Sequence, residues 1–332
     1  METTLEVSDA SHVAEVRRTV SSVGQRGGCT AELIAQAALV ATELSTNILK
    51  YAGRGSLALS MAKEGDSTAL DILALDNGPG IPNFALSARD GHSTGGSLGF
   101  GIGTVQRAAS VFDVYSGTGL GTAIFARITA RRHPPAAEPR FRVGSRMTAI
   151  RTETVSGDAW TRSDLKDGIL VSVIDGLGHG PKAAEAAAQA SQVVEQRLSE
   201  RGPAETIRAA HDALRATRGA VMALAKIDAR AGTLRFSGVG NISAMVFDGQ
   251  GVTRLVSTDG TVGYSLRTPR ESEAAWTSGS TLVMNTDGLF SKWNLSAHPG
   301  LLSHHPALIA AVLHRDFARN TDDATVVVVK GG

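Results

Sequence analysis

LDILALDNGPGIPNFALSARDGHSTGGSLGFGIGTVQRA, residues 70–108, decides how the first part of this 332-residue chain is read. It opens as an apolar strand, LDILALD (70–76), whose branched residues suit a pleated, half-buried surface. The strand ends on Asp76-Asn77-Gly78-Pro79-Gly80-Ile81. Two glycines two apart let backbone approach a flat ligand closely, and an aspartate at a strand end can accept a hydrogen bond. An ordinary strand-ending turn uses the same residue types. Then Gly95-Gly96-Ser97-Leu98-Gly99-Phe100-Gly101-Ile102-Gly103 leads into a helix expected over 102–112. Backbone amides of such a loop, backed by a helix N-terminus, suit an anion such as phosphate. No Gly-Lys-Ser/Thr follows, so this is not a Walker A loop.

Working outward, AELIAQAALVATELSTNILKY (31–51) reads as a helix, with its polar positions at helical spacing. Glu43 and Asn47, at i and i+4, share one helical face. Taken alone, that pair reads first as the solvated side of an amphipathic helix. SLALSMA (56–62) is a strand joined through EGDS to 70–76, and DVYSGTGLGTAIFARI (113–128) is a hairpin containing Gly121-Thr122.

In this order and spacing the three motifs resemble the Bergerat-fold (GHKL) ATPases and kinases, over nearly all of residues 10–130. They resemble most the small RsbT/SpoIIAB-type serine kinases of bacterial partner switching. That resemblance implies an α/β sandwich binding ATP with Mg²⁺. Glu43 would be the general base and Asn47 the Mg²⁺ ligand. Asp76 would read the adenine amino group, with Gly78 and Gly80 beside it and Thr122 near the base. Gly99, Gly101 and Gly103 would line the triphosphate.

The sharpest change in composition is RRHPPAAEPRFR (131–142), which holds three of the ten prolines and a Pro-Pro pair that cannot continue a helix. We expect three parts: an ATP-binding domain over 1–130, a stiff basic linker over 131–142, and a second domain over 143–332. The second stretch begins with strand-like segments near 143–155 and 168–174. An Ala-rich helix (182–199) and a helical stretch (204–216) follow. Strand-like VMALAKID, LRFSGVG, ISAMVFD, TLVMNTD and ATVVVVK complete it. Helices on antiparallel strands make the fold class α+β, with an αββα second domain.

Aspartates stand beside its strand-like segments: Asp158 in SGDAW, Asp175 in VIDGLGHG, Asp287 in NTDGLF, and Asp322 and Asp323 in NTDDATVVVVK. Each by itself reads as a turn or cap residue. Carboxylates without thiolates suit hard cations such as Mg²⁺ or Mn²⁺. The order resembles the metal-dependent (PPM) protein serine/threonine phosphatases, in their compact SpoIIE/RsbX branch, over about residues 140–330. IDGLGHGPKAAEAA and TDDATVVVVK carry most of the likeness. The resemblance implies two metal ions, Mn²⁺ or Mg²⁺, bridged by Asp175, with the Gly176 carbonyl, Asp287 and Asp322 as further ligands. Asp158 would hold metal-bound water, and Asp323 is the less suited of its pair. The Gly238–Asn241 turn fits the same family, and His179 is a proton-donor candidate that by itself reads first as a polar residue of a Gly-rich loop. One departure stands out: where many relatives carry a second aspartate soon after the first, this chain reads Ala159-Trp160-Thr161-Arg162. Arg146, Arg151 and Arg162 lie nearby in sequence, without a clear phosphate binder among them.

The balance of 33 basic and 32 acidic residues, with no long basic run, argues against nucleic acid as the main partner. A lone cysteine, Cys29, excludes a disulfide framework and a multi-thiolate metal site. No apolar run approaches the roughly 20 residues of a membrane span, and METTLEVSDASHVAEVRR lacks the basic and apolar regions of a signal peptide. We therefore expect a cytoplasmic, bifunctional partner-switching regulator. It would pair a serine/threonine kinase with a phosphoprotein phosphatase, both acting on STAS-domain proteins. The alternative is an ATP-switched binding module for a sigma factor or phosphatase activator, fused to an active phosphatase. A homo-oligomer is left open.

Overall fold

A computed structural model of the chain describes residues 2–64, 67–81, 98–129, 140–196, 202–290, 293–319 and 321–331. Most of the expected linker, 131–142, and the glycines at 95 and 96 lie outside the described residues. The chain forms two compact units: Met1–Glu138 with Ser296–Leu308, and Pro139–Leu295 with Ile309–Gly332. The stretch expected to run unbroken over 143–332 thus gives up thirteen residues, Ser296–Leu308, to the first unit.

In the first unit, β1 (Glu2–Val7), β2 (Gly55–Glu64), β3 (Ser67–Asp76), β4 (Val111–Ser116) and β5 (Thr122–Thr129) form one antiparallel sheet in the order β1-β2-β3-β5-β4. Helices α1 (Ala10–Arg26), α2 (Ala31–Asn47) and α3 (Leu98–Ala108) accompany it. Val16, Val20, Leu33, Ala37, Val40, Leu44 and Val105 of the helices share one buried core with Leu57, Leu59, Leu70 and Ile72 of the strands. The Leu33–Ala37–Val40–Ala41–Leu44 spacing is the apolar stripe that makes α2 a helix, and Thr30 caps it by accepting from the Leu33 amide. The sequence reading did not include β1 or α1. It also drew one helix over 31–51. The chain instead leaves α2 at Asn47 and continues as a π-helical turn, Ile48–Ala52, closed by Gly53 at φ +74°.

The helix expected at 102–112 is displaced: α3 starts at Leu98, and Val111 and Phe112 belong to β4. Gly99, Gly101 and Gly103 are therefore helical residues, not part of a loop before the helix. Two β-branched and aromatic residues paired against Arg127 and Ala126 of β5 gain a sheet ladder there, and that outweighs a last helical turn. Asp113 on β4 accepts from the His305 amide (2.6 Å) and lies 2.9 Å from His304 Nδ1, and the His305 ring stacks on Phe125 at 4.3 Å. Burial opposes charging Asp113, yet these bonds hold its carboxyl below the usual aspartate value.

The second unit stacks two antiparallel sheets. One runs β15-β10-β9-β8-β7: Ser272–Ala275, Thr233–Val239, Ala220–Asp228, Gly168–Gly176 and Asp158–Leu165. The other runs β12-β11-β16-β17-β6: Gly251–Leu255, Ser243–Asp248, Thr281–Asn285, Ala324–Gly331 and Phe141–Thr148, while β13 (Gly260–Thr261) and β14 (Ser265–Leu266) pair as a small ribbon. Val171, Val173, Ala225 and Phe236 from the first meet Ala244, Met284, Val327 and Val329 from the second in a core between the sheets. On the outer face of the first sheet, α4 (Pro181–Gln196) and α5 (Pro203–Ala213) bury Ala187, Ala190, Val194 and Ile207 against Leu170, Ile174, Met222 and Leu224. The second sheet is tied through β6 to α6 (Pro306–Phe317), where Thr148 Oγ1 and His314 Nε2 are 2.9 Å apart. Met222, Met245 and Met284 are buried core residues, as their strand positions imply.

Candidate functional site

In the first unit, the face of α2 that carries Glu43 and Asn47 meets α3. A β-carbon on Gly101 would stand 2.7 Å from Glu43 Oε2 and 3.8 Å from Asn47 Nδ2, so only glycine lets the helices come this close. Asn47 Nδ2 is buried without a hydrogen-bond partner among the described residues. A buried, unpaired amide beside a carboxylate is what a bound polar group would satisfy. At the end of β3, Asp76 Oδ1 accepts from the Gly78 amide (2.8 Å) and the Thr122 amide (3.2 Å). Register pairs Asp76 with Thr122 across β3 and β5, which brings two motifs 46 residues apart to one place. Gly80, at φ +76°, has no room for a side chain: its β-carbon would fall 1.9 Å from the Gly117 carbonyl oxygen. Ser116, which the sequence reading missed, fixes this turn by accepting from the Ile81 amide (2.8 Å) and donating to the Gly121 carbonyl (2.9 Å).

In the second unit, antiparallel pairing gathers the aspartates at one end of the sandwich. Asp158 starts β7 and pairs in register with Asp175 at the end of β8. Asp287 follows β16, while Asp322 and Asp323 precede its neighbour β17. The sheets are stitched there: Thr286 Oγ1 donates to Asp158 Oδ2 (2.9 Å) and accepts from the Thr325 amide (3.0 Å). Asn241 Nδ2 donates to Asp287 Oδ2 (2.8 Å). Both oxygens of buried Asp323 are taken, by the Ile150 and Gly157 amides at 2.7 Å each. That use closes the loop before Asp158.

Electrostatics shows that these carboxylates sense one another. Burial raises the Asp158 carboxyl to about 7, with repulsion from Asp323 and Asp322 adding to it. Burial, followed by repulsion from Asp158, Asp287 and Asp322, raises Asp175 to about 8. Asp287 is also raised, first by burial and then by Asp322. Among the described residues no three acidic, imidazole or thiol groups close into a ready-made cage for an ion. The arrangement is an open set of oxygen donors, of the kind that hard cations and their waters complete.

The Asp-Gly pairs now have a physical reason. A β-carbon on Gly176 would fall 2.1 Å from the Ala183 carbonyl oxygen, and one on Gly288 would fall 1.9 Å from that of Asp323. Each aspartate is followed by backbone packed against backbone, which fixes where it stands. Beyond Gly176, His179 Nδ1 lies 2.8 Å from Glu153 Oε1. Of the nearby arginines, Arg162 pairs with Asp164 (2.9 Å), Arg146 is buried, and Arg151 is exposed. Sequence alone gave no signal for Thr286, beyond its place next to Asp287, or for Glu153.

Comparison with known proteins defines both folds. Residues 7–128 match the histidine kinase-like ATPase domain, so the first unit has the GHKL-type ATP-binding fold. The second has the PP2C-like phosphatase fold, and the whole is α+β. Residues 166–331, half of the chain, match Stage II sporulation protein E (SpoIIE), and the chain belongs to that family. It is 40% identical over 83 residues to the serine/threonine-protein kinase RsbT of Bacillus subtilis (strain 168), a match spanning 25% of this chain and 62% of RsbT. The chain thus spans less than two thirds of that relative's length. Among solved structures, one described as part of the bacterial stressosome, a modular system adapted to control secondary messenger signaling, is 28% identical with a TM-score of 0.55. That match covers 58% of this chain and all of the other. RsbX in complex with magnesium is similar in fold, at 21% identity and a TM-score of 0.51, over 59% of this chain and 98% of that one. No described helix is long and apolar enough to cross a membrane.

Proposed function

We propose that the chain is a bifunctional regulator of cytoplasmic partner switching. In this reading the first unit moves the γ-phosphate of ATP to a serine or threonine of a STAS-domain protein. The second unit hydrolyses such a phosphoester. The observation that carries the phosphatase half is the gathering of Asp158, Asp175, Asp287 and Asp322 at one end of the sandwich, with Asp158 and Asp175 held up to about 7 and 8. Like charges crowded this way call for cations, and all the donors are oxygens. Asp175, the Gly176 carbonyl, Asp287 and Asp322 would hold two ions, Mn²⁺ or Mg²⁺. When bound, these ions supply charge for the phosphoryl group and acidify water. Asp158, oriented by Thr286, accepts a hydrogen bond from the attacking water. Asn241 keeps the second oxygen of Asp287 from turning away.

In the kinase half, Glu43 would take the proton of the incoming hydroxyl, and the Asn47 amide oxygen would hold Mg²⁺, which supplies charge for the phosphates when bound. Asp76, fixed by two backbone amides, accepts from the adenine amino group beside Gly78, Gly80 and Thr122. Gly99, Gly101 and Gly103, in the first turns of α3, would line the triphosphate. The close approach of Gly101 to Glu43 supports this placement, and the unpaired Asn47 Nδ2 is a donor that a phosphate oxygen would satisfy.

Running both reactions on one residue would only hydrolyse ATP, so the two units act on different residues or one is gated by a partner. A two-stage transfer assay tests the reading. Wild type, Glu43→Ala and Asp175→Asn are given a STAS-domain protein with γ-labelled ATP and Mg²⁺, then Mn²⁺ after ATP is removed. Label should reach the partner except with Glu43→Ala. If a labelled partner then loses its label except with Asp175→Asn, both units are enzymes on one target. A partner that binds but is never labelled would make the first unit an ATP-switched tether for a sigma factor or phosphatase activator, and the kinase assignment would fall.

A further inference from the structure

We propose that Arg218 is the residue of the second unit that grips the substrate's phosphate, an inference that rests on the phosphatase reading above. Arg218 lies in the turn between a 3₁₀ segment, Leu214–Ala216, and β9. That turn is locked. Thr217 Oγ1 donates to the Leu214 carbonyl (2.8 Å) and accepts from the Gly219 amide (3.0 Å). Gly219, at φ +80°, has the Val262 carbonyl oxygen 2.6 Å from where its β-carbon would be. Its own carbonyl accepts from the Leu177 amide at 3.0 Å, so the turn is bonded directly to the loop that leaves Asp175.

The side chain then lies along that loop. Arg218 Nη1 is 3.0 Å from the position a β-carbon would take on Gly178, at φ +86°, so the bare glycine leaves the space into which the guanidinium folds. Two residues separate Gly178 from Asp175. Arg218 is exposed and has no ion pair or hydrogen bond among the described residues. Of the other arginines, Arg162 is committed to Asp164 and Arg319 lies over the Phe290 ring at 5.2 Å, while Arg151 is exposed like Arg218 and serves as the comparison below.

The chemistry asks for such a group. Any cations held by the aspartates are partly neutralised by them, while the arriving phosphate is a dianion surrounded by carboxylates. A guanidinium, permanently charged and forked, can take two phosphate oxygens at once and orient the ester. Held by its backbone beside the loop and free at its tip, Arg218 is placed to do so without entering the cluster.

The test uses the full chain loaded with Mn²⁺. Inorganic phosphate binding is measured by calorimetry, Mn²⁺ binding is titrated separately, and steady-state hydrolysis of a phosphoserine peptide is followed. The variants are Arg218→Ala, Arg218→Lys and Arg151→Ala. Arg218→Ala should weaken phosphate binding and raise KM by about tenfold or more, with Mn²⁺ affinity unchanged. Arg218→Lys should recover only part, because an ammonium cannot bind two oxygens in a fork. Phosphate affinity within twofold of wild type in Arg218→Ala, or a loss seen with Arg151→Ala instead, overturns the inference and leaves the phosphatase reading standing. Wild type that neither binds Mn²⁺ nor hydrolyses the peptide removes both.

Discussion

Gly101 shows how a single hydrogen atom in place of a side chain sets a site. In mid-helix, alanine is favoured over glycine by about 1 kcal/mol. At position 101 that gain meets a β-carbon 2.7 Å from Glu43 Oε2. Gly101→Ala should therefore leave the melting temperature of the chain nearly unchanged while displacing the Glu43 carboxylate. We expect ATP affinity, measured by fluorescent-nucleotide titration, to fall about tenfold or more, the scale of one lost charge-assisted contact. Unchanged ATP affinity would mean that α3 moves away from α2 at no cost. Gly288 is the opposite case, because its neighbour is backbone: Asp323 carbonyl oxygen at 1.9 Å. Backbone on both sides cannot yield as a side chain would, so Gly288→Ala should destabilise the chain by roughly 3 kcal/mol or more in urea unfolding, whether or not metal is present.

Elements act through what they keep dry. Helix α6 buries His314 against β6, where burial, and then the Arg146 charge, lower the imidazole to about 3. The ring is neutral in the folded chain and bonded to Thr148 Oγ1. Below about 6.5 the unfolded chain takes up a proton that the folded chain refuses. The contribution of His314 to stability is thus whole above that pH and falls as pH drops toward about 3, by a few kcal/mol at most. His314→Gln, which can still bond Thr148, should flatten the loss of stability between pH 7 and 5 in urea titrations. An unchanged slope would show that the ring is reached by water.

At the scale of the molecule, the aspartate cluster opposes His314. Asp158 and Asp175 bind protons more tightly folded than unfolded, since their carboxyls sit at about 7 and 8 rather than 3.8. Their contribution is complete below about pH 4 and is lost as pH rises through 7 to 8. Metal-free protein should therefore gain most from Mn²⁺ at alkaline pH, where the ions compete with no protons. Melting curves with EDTA or Mn²⁺ should separate by several degrees more at pH 8 than at pH 5.5. Equal separation at both would mean that the ions bind elsewhere. Because the two proposed active sites share no residue, Asp175→Asn should leave ATP binding as in wild type.

Much of this was legible in the chain itself. Local signals carried the three motifs of the first unit, the Asp-Gly pairs and most of the core strands, because periodicity and turn chemistry act over a few residues. Strand pairing was beyond them. The bond from Ile150 to Asp323 spans 173 residues, and only the register of β6, β16 and β17 decides that Asp323 serves the loop while its neighbour Asp322 faces the cluster. Likewise the start of α3, the capture of Val111 and Phe112 by β4, and the return of Ser296–Leu308 to the first unit depend on partners far away in sequence. The amino-acid sequence determined which motifs and donor groups the chain carries. Tertiary structure decided which atoms meet, because hydrogen-bond registers and backbone contacts between distant segments are set only when the sheets close.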